Sequence, residues 1–425
     1  MYTWAVTERY KETCELAGFC DTNLGRMELR KAQLPEGHPK VRTYAADEFD
    51  KMIQLERPQC VIVTCIDRYH HQYICRAMEL GCDVITEKPL TIDAEKCQQI
   101  VDTVRRTGRS LRVTFNYRYS PPRSQVKELL RDGVIGEILS VDFHWLLDTY
   151  HGADYYRRWH RRKANSGGLL VHKATHHFDL VNWWIGSRPV EVFATGARRF
   201  YGPWTAEQLG LRGRSDRCHT CQVSGKCPFF LSLSAHKGLK DMYLDQEQYD
   251  GYRRDQCVFA EEIDIEDVMC VSVRYKNDVR MSYSLNSFSP WEGYVIAFNG
   301  TKGRLEHRMV ESAYISGDGT VPGQIIRTGT HIHVLPLRAE PYSVEIRAVE
   351  GGHGGGDPAL LEDIFSPNPA PDPLKRAAGL ADGAWSILTG IAANTSIQTG
   401  KVVRVDELVH DVPEPEHASA GTKDR

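Results

Sequence analysis

Asp83-Val84-Ile85-Thr86-Glu87-Lys88-Pro89-Leu90 reads as a short β-branched strand that stops at a charged turn closed by proline. Outward from it, helix and strand alternate. Helical spacing over 70–80 and the apolar run Cys60-Val61-Ile62-Val63-Thr64 precede it; a helix over 93–107 and a strand over 111–115 follow. Further upstream come a helix over 47–55, a short strand at Phe19-Cys20-Asp21 and a helix over 4–18 closed by Gly18. Regular alternation of this kind implies α/β architecture, a doubly wound parallel sheet over residues 1–116.

After Asn116 the pattern changes. A helix over 121–133, a strand over 138–145, a histidine-rich helix from Leu169, and alternating runs at 268–275 and 279–285 joined by Lys276-Asn277-Asp278 predict an α+β unit over 117–411. Its large sheet should be mixed or antiparallel. Residues 373–399 have the spacing of an amphipathic helix. A cysteine-rich insertion occupies about 211–260, and the Pro-, Glu-, Ser- and Gly-rich tail 412–425 is expected to be disordered.

The chain has 425 residues, 41% hydrophobic and 26% charged, with a formal net charge of −3, the profile of a globular protein of two or three domains. Neither sign of charge dominates, which argues against nucleic acid as partner, and no apolar run is long enough to span a membrane. A small-molecule partner is expected. The first residues carry Glu8, Arg9, Lys11 and Glu12 where a signal peptide needs an apolar block. The expected location is therefore cytoplasmic, on condition that no export signal has been lost upstream of Met1.

Lys88 lies between a sheet strand and a proline, a position at the carboxyl edge where open α/β sheets bind ligands. An ammonium there can orient a hydroxyl and stabilise a developing alkoxide. Ser166-Gly167-Gly168-Leu169-Leu170-Val171-His172-Lys173-Ala174-Thr175-His176-His177-Phe178-Asp179 clusters four basic residues behind two glycines that permit close approach of a ligand. His172 and His176 stand i, i+4 on one helical face, with Lys173 and His177 turned about 100° away. Histidine titrates in the range a general base requires.

These two stretches together resemble the Gfo/Idh/MocA family of NAD(P)-dependent sugar oxidoreductases, over nearly the whole chain. The resemblance implies a nucleotide unit in which Asp21 binds the adenosine ribose, about 20 residues after a glycine-rich loop. Counting back places that loop and its strand at or before Met1, so the chain is expected to start on the first helix of the fold, its first strand missing. Asp67 and His70 match the family's turn beside the nicotinamide ribose, although its proline is replaced, and Thr64 at its start is an implied cofactor contact. Glu87, Lys88 and Asn116 complete the implied cofactor contacts, with NAD expected in preference to NADP. In the family pattern an Asp stands four residues before the His; here that position is His172, which puts the role of the pair in question. The implied base is His176, with Lys88, His172 and Lys173 as its catalytic company. Tyr117, Arg118, Tyr155 and Arg157 are the expected substrate contacts.

The implied reaction is hydride transfer between NAD and a hydroxyl of a sugar, sugar derivative or glycoside, in a homodimer or homotetramer. Residues 351–356 (Gly-Gly-His-Gly-Gly-Gly) resemble a segment of the NAD-dependent α-N-acetylgalactosaminidase branch, whose cofactor oxidises the sugar transiently so that the glycoside can be eliminated. That is the alternative expectation, beside a truncated, inactive sugar-binding homologue. Cys218, Cys221, Cys227 and Cys257, spaced C-x2-C-x5-C-x29-C, suggest a structural zinc stapling the insertion.

Overall fold

The computed structural model describes residues 1–311, 325–348 and 352–417. Its first unit holds two parallel sheets, β1 (Gly18–Asp21) with β2 (Arg42–Ala45), and β3 (Cys60–Val63), β4 (Asp83–Thr86) and β5 (Leu111–Val113) in the order β3-β4-β5. The helices between them begin and end where their caps dictate. Asn23 accepts the Arg26 amide at 2.9 Å to start Leu24–Ala32, Asp93 accepts that of Lys96 to start Ala94–Thr107, and Gly108 ends the latter in the left-handed region. Ile74, Val84, Ile100, Val101 and Val113 form the buried layer between helices and strands.

The doubly wound sheet is thus divided: among the described residues no strand lies between β1 and β3, and both border an open groove. The expected long first helix is also absent. Tyr2–Trp4 is one helical turn that continues as a wider π-turn over Ala5–Arg9, and Gly18 opens β1 instead of ending a helix. This segment packs on the helix Gly352–Phe365, where the Tyr10 and Phe365 rings stand 5.8 Å apart and Tyr10 donates to Glu362 at 2.7 Å.

The second unit is built on a nine-stranded sheet. Its strands are β6 (Ile138–Asp148), β7 (Pro189–Ala197), β8 (Val268–Tyr275), β9 (Arg280–Ser289), β10 (Glu292–Gly300), β11 (Gly303–Glu311), β12 (Ile325–Pro336), β13 (Tyr342–Val344) and β14 (Val403–Arg404). They lie in the order β13-β12-β11-β10-β6-β9-β8-β7-β14, and only β6 and β9 run parallel. Alternation along β9 and β11 buries one face, which the helices Thr175–Ile185 and Leu380–Thr399 cover. The long helix begins at Leu380, seven residues later than its periodicity suggests, because Asp372 binds the backbone amides of Arg376 and Ala377 and folds the preceding segment into a loop.

The tail is not loose where it is described. Trp385 donates to the Pro413 carbonyl at 2.9 Å, Glu414 pairs with Arg188 and Lys276, and His417 is buried 3.0 Å from Asp382; residues 418–425 lie outside the described part. No described helix is long and apolar enough to cross a membrane.

Candidate active site

The carboxyl ends of β3 and β4 face the histidine segment across a cavity of about 430 Å3. Gly167 and Gly168 take φ of 70° and 77°, and a side chain on Gly167 would press on Val171 and on the Ile92 carbonyl, so only glycine lets the segment approach the first unit this closely. The expected continuous helix is broken into Leu169–His172 and Thr175–Ile185. The break turns Lys173 inward, so that His172, Lys173 and His176 all line the cavity beside Lys88. His177 does not; its ring stacks on Trp145 at 3.8 Å and Nδ1 pairs with the Tyr283 hydroxyl.

His172 has the partner that its sequence position lacks. Its Nδ1 lies 2.5 Å from Asp67 Oδ2, a carboxylate supplied by the other unit. Burial pushes the Asp67 carboxyl up and holds the His172 imidazole well below its ordinary range. Lys88 donates to the His172 carbonyl at 3.3 Å, and burial lowers its ammonium while Asp67 and Glu87 oppose the shift. Asp67, expected on the cofactor, thus stands against His172. His176 stacks on Tyr117 with centroids 4.2 Å apart, its buried Nδ1 has no hydrogen-bond partner, and desolvation holds it well below the usual imidazole range.

The opposite wall carries Glu292 and Glu311, which the sequence reading passed over, beside the expected contact Tyr155. Glu292 Oε2 accepts the Asp148 amide at 2.8 Å, Oε1 lies 3.0 Å from His151 Nδ1, and His151 Nε2 meets the Tyr155 hydroxyl at 2.9 Å. A carboxylate, an imidazole and a phenol thus form one relay ending at the cavity. Glu292 stands directly across from Glu311 in the β10–β11 ladder. Burial raises Glu292 to about 7 and lowers Lys173 to about 8, each opposed by the other's charge, while Glu311 pairs with buried Arg123. The available signal was an acidic residue at the end of each of two apolar strands. His353 was visible as well, in the glycine-rich run; it takes φ of 51°, lines the cavity and pairs with Asp357, which also accepts Asn116 Nδ2 at 2.8 Å. Residue 351 lies outside the described part.

Other expected contacts fall elsewhere. Arg118 is wholly buried behind the cavity in ion pairs with Asp179 and Asp382 at 2.6 and 2.7 Å, so it is a packing cation and not a substrate ligand. Arg157 turns away from the cavity toward the Phe229 carbonyl. His70 bridges the Pro89 and Cys65 carbonyls at 2.8 and 3.0 Å, tying together the turns after β3 and β4. Asp21, Thr64, Glu87 and Asn116 line the open groove, and Glu87, His70, Tyr117 and Tyr155 the cavity. The expected zinc site is not shown: among the described residues no three His, Cys, Asp or Glu side chains gather to hold a metal, and none of the four cysteines is in a disulfide. Arg217, bound to Glu247 and Asp255, staples the insertion instead.

A nucleotide-type α/β unit joined to a sheet domain, with a lysine and a carboxylate-paired imidazole at their junction, defines a two-domain oxidoreductase. The chain belongs to the Gfo/Idh/MocA family: residues 2–115 match the oxidoreductase family's NAD-binding Rossmann fold, and residues 127–405 its C-terminal alpha/beta domain. It is 39% identical over 422 residues to YteT of Bacillus subtilis (strain 168), named as an oxidoreductase, covering 96% of this chain and 95% of that protein. It is 26% identical over 202 residues to the D-glucoside 3-dehydrogenase of Escherichia coli (strain K12), covering 48% and 55%. The fold matches that of myo-inositol 2-dehydrogenase from Lactobacillus plantarum with a TM-score of 0.61 at 15% identity, over 95% of both chains.

Proposed function

We propose that this protein oxidises a secondary hydroxyl of a sugar, sugar derivative or glycoside, using NAD in preference to NADP. The carrying observation is the Asp67–His172 pair beside Lys88, in a cavity that Lys88 shares with the groove. The groove suits a dinucleotide: it runs from Asp21, the acidic residue at the end of β1, past Thr64 to Glu87 and Lys88. Asp21 would take the ribose, and Thr64, Glu87 and Asn116 the nicotinamide end. The nucleotide, when bound, accepts the hydride.

The chain's own residues handle the proton. With Nδ1 committed to Asp67, His172 is fixed as the tautomer whose Nε2 accepts, and the hydroxyl proton passes to that nitrogen. Asp67 balances the imidazolium that results. The Lys88 ammonium holds the oxygen as negative charge develops on it, in a site where burial strengthens the attraction. Screening inositols and methyl glycosides for NADH absorbance, with nucleotide quantified in the purified protein, tests the reading. Absence of both NADH and bound nucleotide defeats it.

One observation favours a second reading. The Glu292–His151–Tyr155 relay gives the cavity a proton-handling group opposite His172, and transient oxidation followed by elimination of a glycoside needs two. That reaction releases the aglycone without accumulating NADH. We also propose a homodimer or homotetramer, which light scattering would distinguish from a monomer.

A further inference from the structure

The insertion does more than fill a loop. Residues 237–256 of the second unit cross to the first and lock onto the turn that follows Asp21. Asn23 is fully buried and donates from Nδ2 to the Gln246 carbonyl at 3.0 Å; Arg26 donates from Nε to the Met242 carbonyl at 3.1 Å and pairs with Asp250 at 3.0 Å. The fit is close enough that a β-carbon on Gly25 would fall 1.9 Å from Gln246 Oε1 and 2.4 Å from the Tyr249 ring. The Arg26 guanidinium lies 5.7 Å from the Tyr243 ring and 5.5 Å from that of Tyr252, and both tyrosines border the same groove as Asp21 and Lys88.

The far side of this segment is fixed as firmly. Arg254 makes a buried two-point ion pair with Asp154, on the helix that carries Tyr155, and Arg217 binds Glu247 and Asp255. The segment is therefore braced against the substrate cavity at one end and docked beside Asp21 at the other. Its inner side is electropositive: burial raises the Tyr243 phenol, yet Arg158, Arg254 and Arg26 together bring it below its ordinary value. Aromatic rings with an adjacent guanidinium and an acidic residue suit a purine, its ribose and the neighbouring phosphates.

We propose that residues 237–256 are a clasp that closes over the adenosine half of the dinucleotide, with Tyr243 and Tyr252 as its contact surface, so that the nucleotide stays bound from one turnover to the next. The proposal rests on the cofactor assignment made above and adds to it a slow exit. Opening requires the Gln246, Met242 and Asp250 contacts to part together.

The test is nucleotide release from the full chain loaded with radiolabelled NAD+ and diluted into excess unlabelled NAD+. The double variant Tyr249→Ala/Asp250→Ala loosens the clasp from its own side, and Gly25→Ala pushes it away from the other, so one poorly folding variant does not decide the matter. Both should release label at least tenfold faster than the unmodified chain, with association rates little changed. Release as fast from the unmodified chain as from either variant overturns the clasp and leaves the cofactor assignment standing. An unmodified chain that holds no NAD+ overturns both.

Discussion

At the residue scale the decisive contrast is between His172 and His176. Family spacing points to His176, but the carboxylate that would tune a base lies against His172 and comes from residue 67, on the other unit. His172→Gln should therefore lower kcat by about 10^2- to 10^4-fold, with nucleotide binding retained, whereas His176→Gln should cost much less. Steady-state kinetics on the two variants check this, and the reverse order would return the role to His176. Lys88→Met should abolish turnover without destabilising the fold, because it leaves no carboxylate stranded: Asp67 keeps His172 and Glu87 keeps the Tyr2 hydroxyl at 2.7 Å. Lys88, His172 and Lys173 were legible because each follows a local signal, a strand-end turn or a glycine pair. Asp67 was read as a cofactor contact without its bond to His172, and Glu292, Glu311 and the His151–Tyr155 bond were not visible as a set. Pairings between residues that stand 105, 141 or 144 positions apart leave no local trace.

At the scale of elements, the long helix Leu380–Thr399 crosses the segment Leu169–His172 at Gly390. A β-carbon there would fall 2.1 Å from the Leu170 carbonyl oxygen and 2.7 Å from its carbon, both backbone atoms with little room to yield. Gly390→Ala should destabilise the protein by about 1–3 kcal/mol and, by displacing the turn that carries His172, lower activity beyond that loss of stability. Urea denaturation and kinetics on the same preparation separate the two effects. From residue 47 to 115 the strands and helices of the first unit were readable to within a few residues, since period and capping residues agree there; the helix Leu24–Ala32 and the strand Arg42–Ala45 were not read, and the first helix was read too long. The break at Lys173–Ala174 was not: its cause is the packing of glycines against another domain, and the sequence over 169–185 keeps helical periodicity throughout. The docking of 237–256 on Asn23 and Arg26 was hidden for the same reason, its short helices being set by contacts with the opposite unit.

At the scale of the molecule, charge is buried in quantity. His70, His151, His160, His172, His176, His177, His307 and His417 are all buried and held below their ordinary range, chiefly by desolvation, with His70 and His417 near 4 and His307 near 3. Below about pH 6.5 the unfolded chain takes up protons that the folded chain refuses, so stability falls with pH. Asp179 and Glu292 act in the opposite sense, because burial raises both to about 7 and the folded chain keeps protons there that the unfolded chain releases. The histidines outnumber them, and each net proton contributes about 1.4 kcal/mol per pH unit. Melting temperature should therefore drop steeply between pH 6.5 and 5; a flat or rising profile would show that the carboxyls prevail. The Asp67–His172 bond has a further consequence, because its two halves belong to different units. A molecule with its units parted would have neither a fixed tautomer nor a charge-balanced base. The bond thus makes the base proposed here a property of the two units standing together, and of neither alone.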